Sequence, residues 1–356
     1  MYNYFYIIYF NVLLLAVIIE SLLKVSIRNV NAPTDKKNFN VGIFILVIIL
    51  SVILGFRPGS TSFGDTQLYQ YNYEYQEFPN EDEPIFNLIG KVCYSLGLPT
   101  GLYLSIIAFL YIYLPLLFLN KYSRAQWLSL LMILASFSFL GYGVNGIRNG
   151  LSLSILIYSF IFVDVKGKTR WIQLFICYFI AIGIHKSSML PISCMLISIL
   201  FIKEPKVAMI LWALCIPLSY IAGSNISKLF LGLGFDERLD QYLVGGFFTT
   251  GFRWDFILYS TIPILLAYYI IYFKKVPVDR VYSILVNTYI LSNALWIIII
   301  KSSFSNRFAY LSWFLYPIVL VYPLLRFKIW NNQTTKIAVF LFFYYMFTYV
   351  MLLPTY

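Results

Sequence analysis

The sequence predicts an all-α polytopic membrane protein of about twelve transmembrane helices. Three observations carry that expectation. Hydrophobic residues make up 60% of the 356-residue chain, aromatic residues 20% and charged residues only 12%, far from the balance of a soluble domain. Apolar runs of about 16 to 20 residues, the length needed to cross a bilayer, recur from one end of the chain to the other. Lys and Arg cluster in the short polar stretches between those runs, as the positive-inside rule expects of loops facing the cytoplasm.

The predicted spans are residues 4–23, 39–56, 100–119, 126–143, 147–163, 171–184, 188–202, 207–222, 256–273, 282–300, 308–325 and 337–353, with a further short segment at 84–98. The first run has neither a basic start nor a small-residue cleavage site, so it reads as a retained span and not a signal peptide. Residues 171–202 could be one tilted helix of about 48 Å or two half-length helices of about 21 to 24 Å. The hairpin is preferred because Arg170 and Lys203 both favour the cytoplasm, while His185, Lys186 and Ser187 interrupt the run with a turn-and-cap signal. No internal repeat or low-complexity linker stands out, and residues 1–356 read as a single integral membrane domain.

Placing residues 24–38 in the cytoplasm puts seventeen of the 26 basic residues on that side and nine outside, which orients both chain ends outward. Two long extracytoplasmic loops follow, 57–99 and 223–255. The net charge of +11 is explained by this orientation, and basic faces of the kind that bind nucleic acid are not expected. Cys93, Cys177, Cys194 and Cys215 fall in or beside apolar runs without metal-site or redox spacing, and read as packing residues.

Sorted by this topology, Arg57, Asp65, Arg148, His185, Arg253, Asp255, Asn306 and Arg307 all map to the outer ends of spans or the adjoining loops. Charges at membrane depth cost about 2.5 to 3.5 kcal/mol each and normally face interiors or aqueous cavities. Arg148, Arg253 and Arg307 also sit at the starts of helices, where the dipole already supplies positive charge and a cation is disfavoured by about 0.3 to 1 kcal/mol. An anion among these helix ends would account for the arrangement. Helix N-termini and guanidiniums both bind phosphate, and the glycines of "GYGVNGIRNG" would let it approach the backbone, so a multivalent phosphate is the expected guest. Each residue has a plainer role as well: Arg57 can snorkel to headgroups, Asp65 can be a turn or cap residue, and His185, the lone histidine, can be structural. Asp255 can cap its helix and pair with Arg253, and Asn306 can cap another helix. The acidic run "EFPNEDEP" reads as a solvated loop, with divalent-metal binding by Glu81, Asp82 and Glu83 as the lesser alternative.

"FRP" and "GDT" in the first outer loop, followed by tyrosines (Arg57, Asp65, Tyr69), then "GIRNG" (Arg148), "HKSS" (His185), "FRWD" (Arg253) and a late "NR" (Asn306, Arg307), resemble the EpsG family. Those are membrane proteins of bacterial exopolysaccharide, capsule and O-antigen loci, regarded as Wzy-type polysaccharide polymerases. The resemblance runs from the second span to the eleventh. The family commonly has glutamine after the arginine of the third motif, where this chain has Asn149, which leaves only local hydrogen bonding open. The resemblance implies a GT-C-like glycosyltransferase architecture with half-length helices, multi-pass in the bacterial cytoplasmic membrane, with its active site facing the extracytoplasmic side. It implies transfer of a growing glycan from undecaprenyl diphosphate to the non-reducing sugar of another lipid-linked repeat. The implied partners are undecaprenyl-diphosphate-linked oligosaccharide repeats, membrane lipids and a chain-length regulator, with no nucleic acid. No cofactor and no metal are expected, and no nucleotide-binding glycine loop marks the cytoplasmic side.

For that reaction Arg57, Arg148, Arg253 and Arg307 are the expected diphosphate ligands, stabilising the leaving group electrostatically. Asp65 and His185 are the two candidate bases, with Asp65 the first choice because a carboxylate is competent at neutral pH. Tyr69, Asn145 and Asn306 are expected to bind substrate. Tyr69, Tyr71, Tyr73 and Tyr75 could stack on sugars or form an interfacial belt. Two rival classes differ in charge placement: a flippase needs charged residues along a path to both faces, and the mid-portions of these spans carry almost none. A membrane acyltransferase would place its histidine near a cytoplasmic donor, whereas His185 maps outside.

Overall fold

In lipid every backbone polar group must be satisfied within the segment, so apolar runs of this length have helix as their available form. The structure, a computed structural model, describes residues 40–60, 63–78, 82–123, 125–231, 251–301 and 305–352, and of 222–231, 305–307, 334 and 351–352 the backbone alone. Every regular element among them is helical. The expected span at 4–23 and most of the loop at 223–255 lie outside the described residues.

In chain order the helices are α1 (Val41–Gly55), α2 (Thr66–Glu74), α3 (Pro84–Ser95), α4 (Thr100–Tyr122), α5 (Gln126–Leu134), α6 (Phe137–Val144), α7 (Ile147–Ser159), α8 (Lys168–Ile184), α9 (Met189–Leu200), α10 (Pro205–Leu231), α11 (Trp254–Tyr268), α12 (Arg280–Ile298), α13 (Ser305–Trp313), α14 (Tyr316–Arg326) and α15 (Gln333–Leu352). Four stretches are long and apolar enough to cross a membrane: Thr100–Tyr122, Trp254–Phe273, Arg280–Ile298 and Phe308–Arg326. α5 and α6 make a fifth if the pair, bent by 73°, is one span. The other apolar helices are shorter. α1, with 15 residues, rises about 22 Å against a hydrocarbon core of about 30 Å. Several of the expected spans are thus shorter or broken among the described residues, because an apolar run reads straight through breaks that interrupt the helix. The break expected at His185 is present: α8 stops at Ile184, His185 is extended, Lys186–Ser188 form a 3-10 turn, and α9 follows.

The chain divides into two compact units, residues 1–189 with 321–356, and residues 190–320. In the first, α1 packs on α4, α4 on α7, and α7 on α8, with α3 also against α8. The α1–α4 crossing depends on a glycine: a Cβ on Gly55 would stand 2.6 Å from the Gly101 carbonyl oxygen and 2.0 Å from Ser105 Oγ, so only glycine lets the backbones approach this closely. Beneath α2 and α3 lies a core of Tyr69, Tyr73, Phe86, Tyr103, Ile107 and Leu151. Tyr73 stacks on Tyr103 with ring centroids 4.4 Å apart, and its hydroxyl donates to the Leu98 carbonyl at 2.6 Å. That core fixes the loop at 57–99 to the helices.

The second unit is centred on α12, against which α10, α11 and α13 pack. Asn293 sits in its apolar middle, fully buried. Its Oδ1 accepts from Trp212 Nε1 at 2.8 Å, and its Nδ2 faces Ser260 Oγ at 3.1 Å and Ser312 Oγ at 2.9 Å. Polar side chains in such surroundings bind across helices because nothing else there satisfies them.

Candidate functional site

Glu83 ends the acidic run, directly before Pro84, at the N-cap of α3. Proline at the first helical position stops the turn there and gives α3 a defined start. The Glu83 side chain makes no cap hydrogen bond. It is buried to 5% exposure and reaches two basic side chains: Arg148 Nη1 donates to one carboxylate oxygen, and His185 Nδ1 contacts the other. Arg148 is presented by the first turn of α7, after the break at Asn145–Gly146. His185 is presented by the extended residue that ends α8. Three segments far apart in sequence are thus joined at one carboxylate.

Burial alone would raise the Glu83 carboxyl, but the hydrogen bond and charge of His185, with those of Arg148, outweigh it and hold the group below its ordinary value of 4.5. Glu83 is therefore ionised at neutral pH and can only accept. That requires Nδ1 of His185 to carry the proton it shares with Glu83, so Nε2 is the ring nitrogen that the carboxylate does not engage. Tyr69 completes the cluster. Arg148 Nε donates to its hydroxyl at 3.3 Å, and the guanidinium carbon lies 5.5 Å from the ring centroid. Burial pushes the Tyr69 hydroxyl up, against the opposing influence of Arg148, so it keeps its proton. Among the described residues no partner takes Arg148 Nη2, the Tyr69 proton or His185 Nε2. These three groups are left unspent by a cluster whose other bonds hold it together.

A second set of bonds fixes the neighbouring turn. Arg57, expected to be a diphosphate ligand, is only 2% exposed. Its Nε donates to Thr66 Oγ1 at 2.7 Å, its Nη2 to the Val144 carbonyl at 3.0 Å and its Nη1 to the Leu54 carbonyl. All three guanidinium nitrogens are engaged by the chain itself, so Arg57 clamps together the end of α1, the start of α2 and the α6–α7 break. Asn145, expected to bind substrate, belongs to the same clamp: its Oδ1 accepts the Asp65 N–H at 2.9 Å. Gly64 precedes it with φ +57°, and a Cβ there would meet Asn145 Oδ1 at 2.2 Å. The Asp65 carboxylate is exposed at the start of α2, without a side-chain cap bond.

Further along, Lys186 Nζ lies 2.5 Å from Asp82 Oδ1, and Ser187 Oγ donates to Asn149 Oδ1 at 3.1 Å. Arg253 and Asp255 lie in the second unit and form a two-point pair, Nε to Oδ1 at 2.9 Å and Nη2 to Oδ2 at 2.6 Å, as the sequence anticipates. Asp255 stands in the first turn of α11, one residue inside it, and Arg253 occupies the cap. The side chains of Asn306 and Arg307, and the whole of Glu81, lie outside the described residues. Among the described residues no three His, Cys, Asp or Glu side chains stand together as a metal site would require.

The model of the EpsG family aligns with residues 40–355. The chain belongs to the EpsG family. It is accordingly a polysaccharide-polymerase-like membrane protein. No curated protein and no solved structure matches the chain. Of the residues that the EpsG resemblance marks, the structure brings Arg148, His185 and Tyr69 into one cluster and puts Arg57, Asp65 and Asn145 into the turn beside it. Glu83, which joins the first three, is absent from those motifs.

Proposed function

We propose that this EpsG-family protein is a polysaccharide polymerase. It transfers a growing glycan from undecaprenyl diphosphate to the non-reducing end of another lipid-linked repeat, at the extracytoplasmic face of the bacterial cytoplasmic membrane, on a GT-C-like framework of about twelve membrane helices. The observation that carries this reading is the shared carboxylate of Glu83, bound by Arg148 on one oxygen and His185 on the other.

The chemistry follows from what each group leaves unspent. His185 Nε2 takes the proton of the acceptor hydroxyl as that oxygen forms its bond to the anomeric carbon of the donor. The bond between the anomeric carbon and the diphosphate oxygen breaks, and its electron pair leaves with the diphosphate. Glu83 holds the imidazole in one tautomer and offsets the positive charge it gains, the part a carboxylate plays beside histidine in hydrolytic triads. Arg148 Nη2 and the Tyr69 hydroxyl donate to the departing phosphate oxygens. His185 replaces Asp65 as the preferred base because its ring is oriented by a buried partner, whereas the Asp65 carboxylate is exposed.

The test is product length in cells carrying single substitutions. His185→Ala and Arg148→Ala should each abolish long-chain polysaccharide and cause lipid-linked single repeats to accumulate, with normal amounts of protein in the membrane. Wild-type chain length in either variant would refute the mechanism.

A further inference from the structure

The cluster that should receive a diphosphate is electrically self-compensated: Arg148 is paired with Glu83 and Lys186 with Asp82. Glu83 also contacts His185, so consecutive residues meet on each side. Asp82 and Glu83 face Lys186 and His185 as two successive rungs between the start of α3 and the end of α8. A ligand carrying two or three negative charges needs unspent positive charge, so one rung must yield when it binds. The two rungs differ in what yielding costs. Glu83 is buried, its side chain 7% exposed, and serves His185 as well as Arg148; breaking that pair strands charges away from water. Asp82 and Lys186 are 70% and 51% exposed, and both return to solvent when separated, which makes their pair weak and exchangeable.

We infer that Lys186 is a second diphosphate ligand of the site, held in reserve by Asp82, which the incoming phosphate displaces. This rests on the reading of the site as a lipid-diphosphate site and adds to it a residue the motifs leave without a role. The ammonium belongs to the residue after the imidazole, on a flexible stem that can turn from the carboxylate to a phosphate oxygen. Arg148 is then the permanent anion contact, and Lys186 the one that senses the second phosphate. Asp82 sets the affinity by competing for Lys186, and it also discourages singly charged headgroups, which cannot repay the exchange.

A purely structural ion pair and a displaced ligand predict different signs. If Asp82–Lys186 were only a tether for the loop, Asp82→Asn and Lys186→Met would act alike. If Lys186 binds the ligand, they act oppositely. The experiment uses the full chain in nanodiscs and measures binding of geranylgeranyl diphosphate, geranylgeranyl monophosphate and inorganic pyrophosphate. Lys186→Met should weaken diphosphate binding about tenfold, the loss of one charge-assisted contact, and leave the monophosphate unchanged. Lys186→Arg should restore most of the loss. Asp82→Asn should tighten diphosphate binding about three- to tenfold by removing the competitor. A lipid carrier is indicated if the isoprenoid diphosphate binds more tightly than pyrophosphate, a free anion if the two bind alike; the Lys186 effect appears in both. If Arg148→Ala weakens diphosphate binding while neither the Lys186 nor the Asp82 substitutions change it, the Lys186 assignment fails and the site reading stands. If the wild-type protein binds no diphosphate, both fail.

Discussion

Glu83 shows at the scale of one residue what the sequence could and could not convey. An arginine in the first turn of a helix demands a neighbouring anion, and Arg148 made that demand legible. The sequence pointed to a phosphate, but the chain supplies an anion of its own from 65 residues away. Its identity was hidden because three acidic residues adjoin in "EDE", and nothing in the sequence marks the one before Pro84, at the helix cap, as buried. Replacing Glu83 by Gln keeps the shape and removes the charge from a buried group that binds both Arg148 and His185, so it should cost about 3 to 5 kcal/mol, read as a fall in melting temperature in detergent. The pH dependence has a definite sign. A carboxyl held below its ordinary value contributes stability above that value and loses the contribution as pH falls through its folded value. Wild-type stability should therefore decline as the pH is lowered beyond 4.5, the group's ordinary value. The Glu83→Gln variant should show a smaller decline across the same interval, and equal slopes would mean that other carboxylates dominate acid unfolding.

At the scale of elements, the apolar runs were legible and their interruptions only partly so. "HKS" announces the break after α8 because it combines charge, polarity and a cap residue. The bend between α5 and α6 does not announce itself: Ala135 and Ser136 contain neither glycine nor proline, yet Ser136 is extended and its hydroxyl lies 3.0 Å from that of Ser138. The tyrosines of this segment alternate with polar residues in sequence, but the segment is helical, and the spacing of four decides their fate. Tyr69 and Tyr73 point into the core, while Tyr71 and Tyr75 are exposed and lie with ring centroids 4.6 Å apart. Only this outer pair is available to stack on a sugar. The turn that starts α2 is held by Arg57, Thr66 and Asn145, and Gly64 is its most constrained position. Gly64→Ala combines a left-handed backbone with a Cβ too close to Asn145, so it should cost about 1 to 3 kcal/mol. The loss should be visible as reduced thermal stability with the chain still inserted. An unchanged melting temperature would show that the turn adjusts and does not position α2.

At the scale of the whole molecule, the all-helical fold of the described residues agrees with what composition and apolar runs foretold, and the family match over residues 40–355 with the motif resemblance. The number of full crossings does not follow from them, because run length and helix length part company wherever a break intervenes. Orientation rests on a separate physical argument, the unequal placement of seventeen and nine basic residues under the positive-inside rule. It has a direct check in a variant lacking Cys93, Cys177, Cys194 and Cys215, into which single cysteines are introduced at exposed positions. Glu77→Cys, in the loop that carries Glu83, should react with a membrane-impermeant maleimide on cells whose outer barrier has been opened but whose cytoplasmic membrane is intact. Lys166→Cys and Lys274→Cys, from two basic loops, should react only after that membrane is breached. The reverse pattern would put Glu83, Arg148 and His185 on the cytoplasmic side, where a lipid-linked repeat delivered to the outer leaflet could not reach them, and the polymerase reading would fail with the topology.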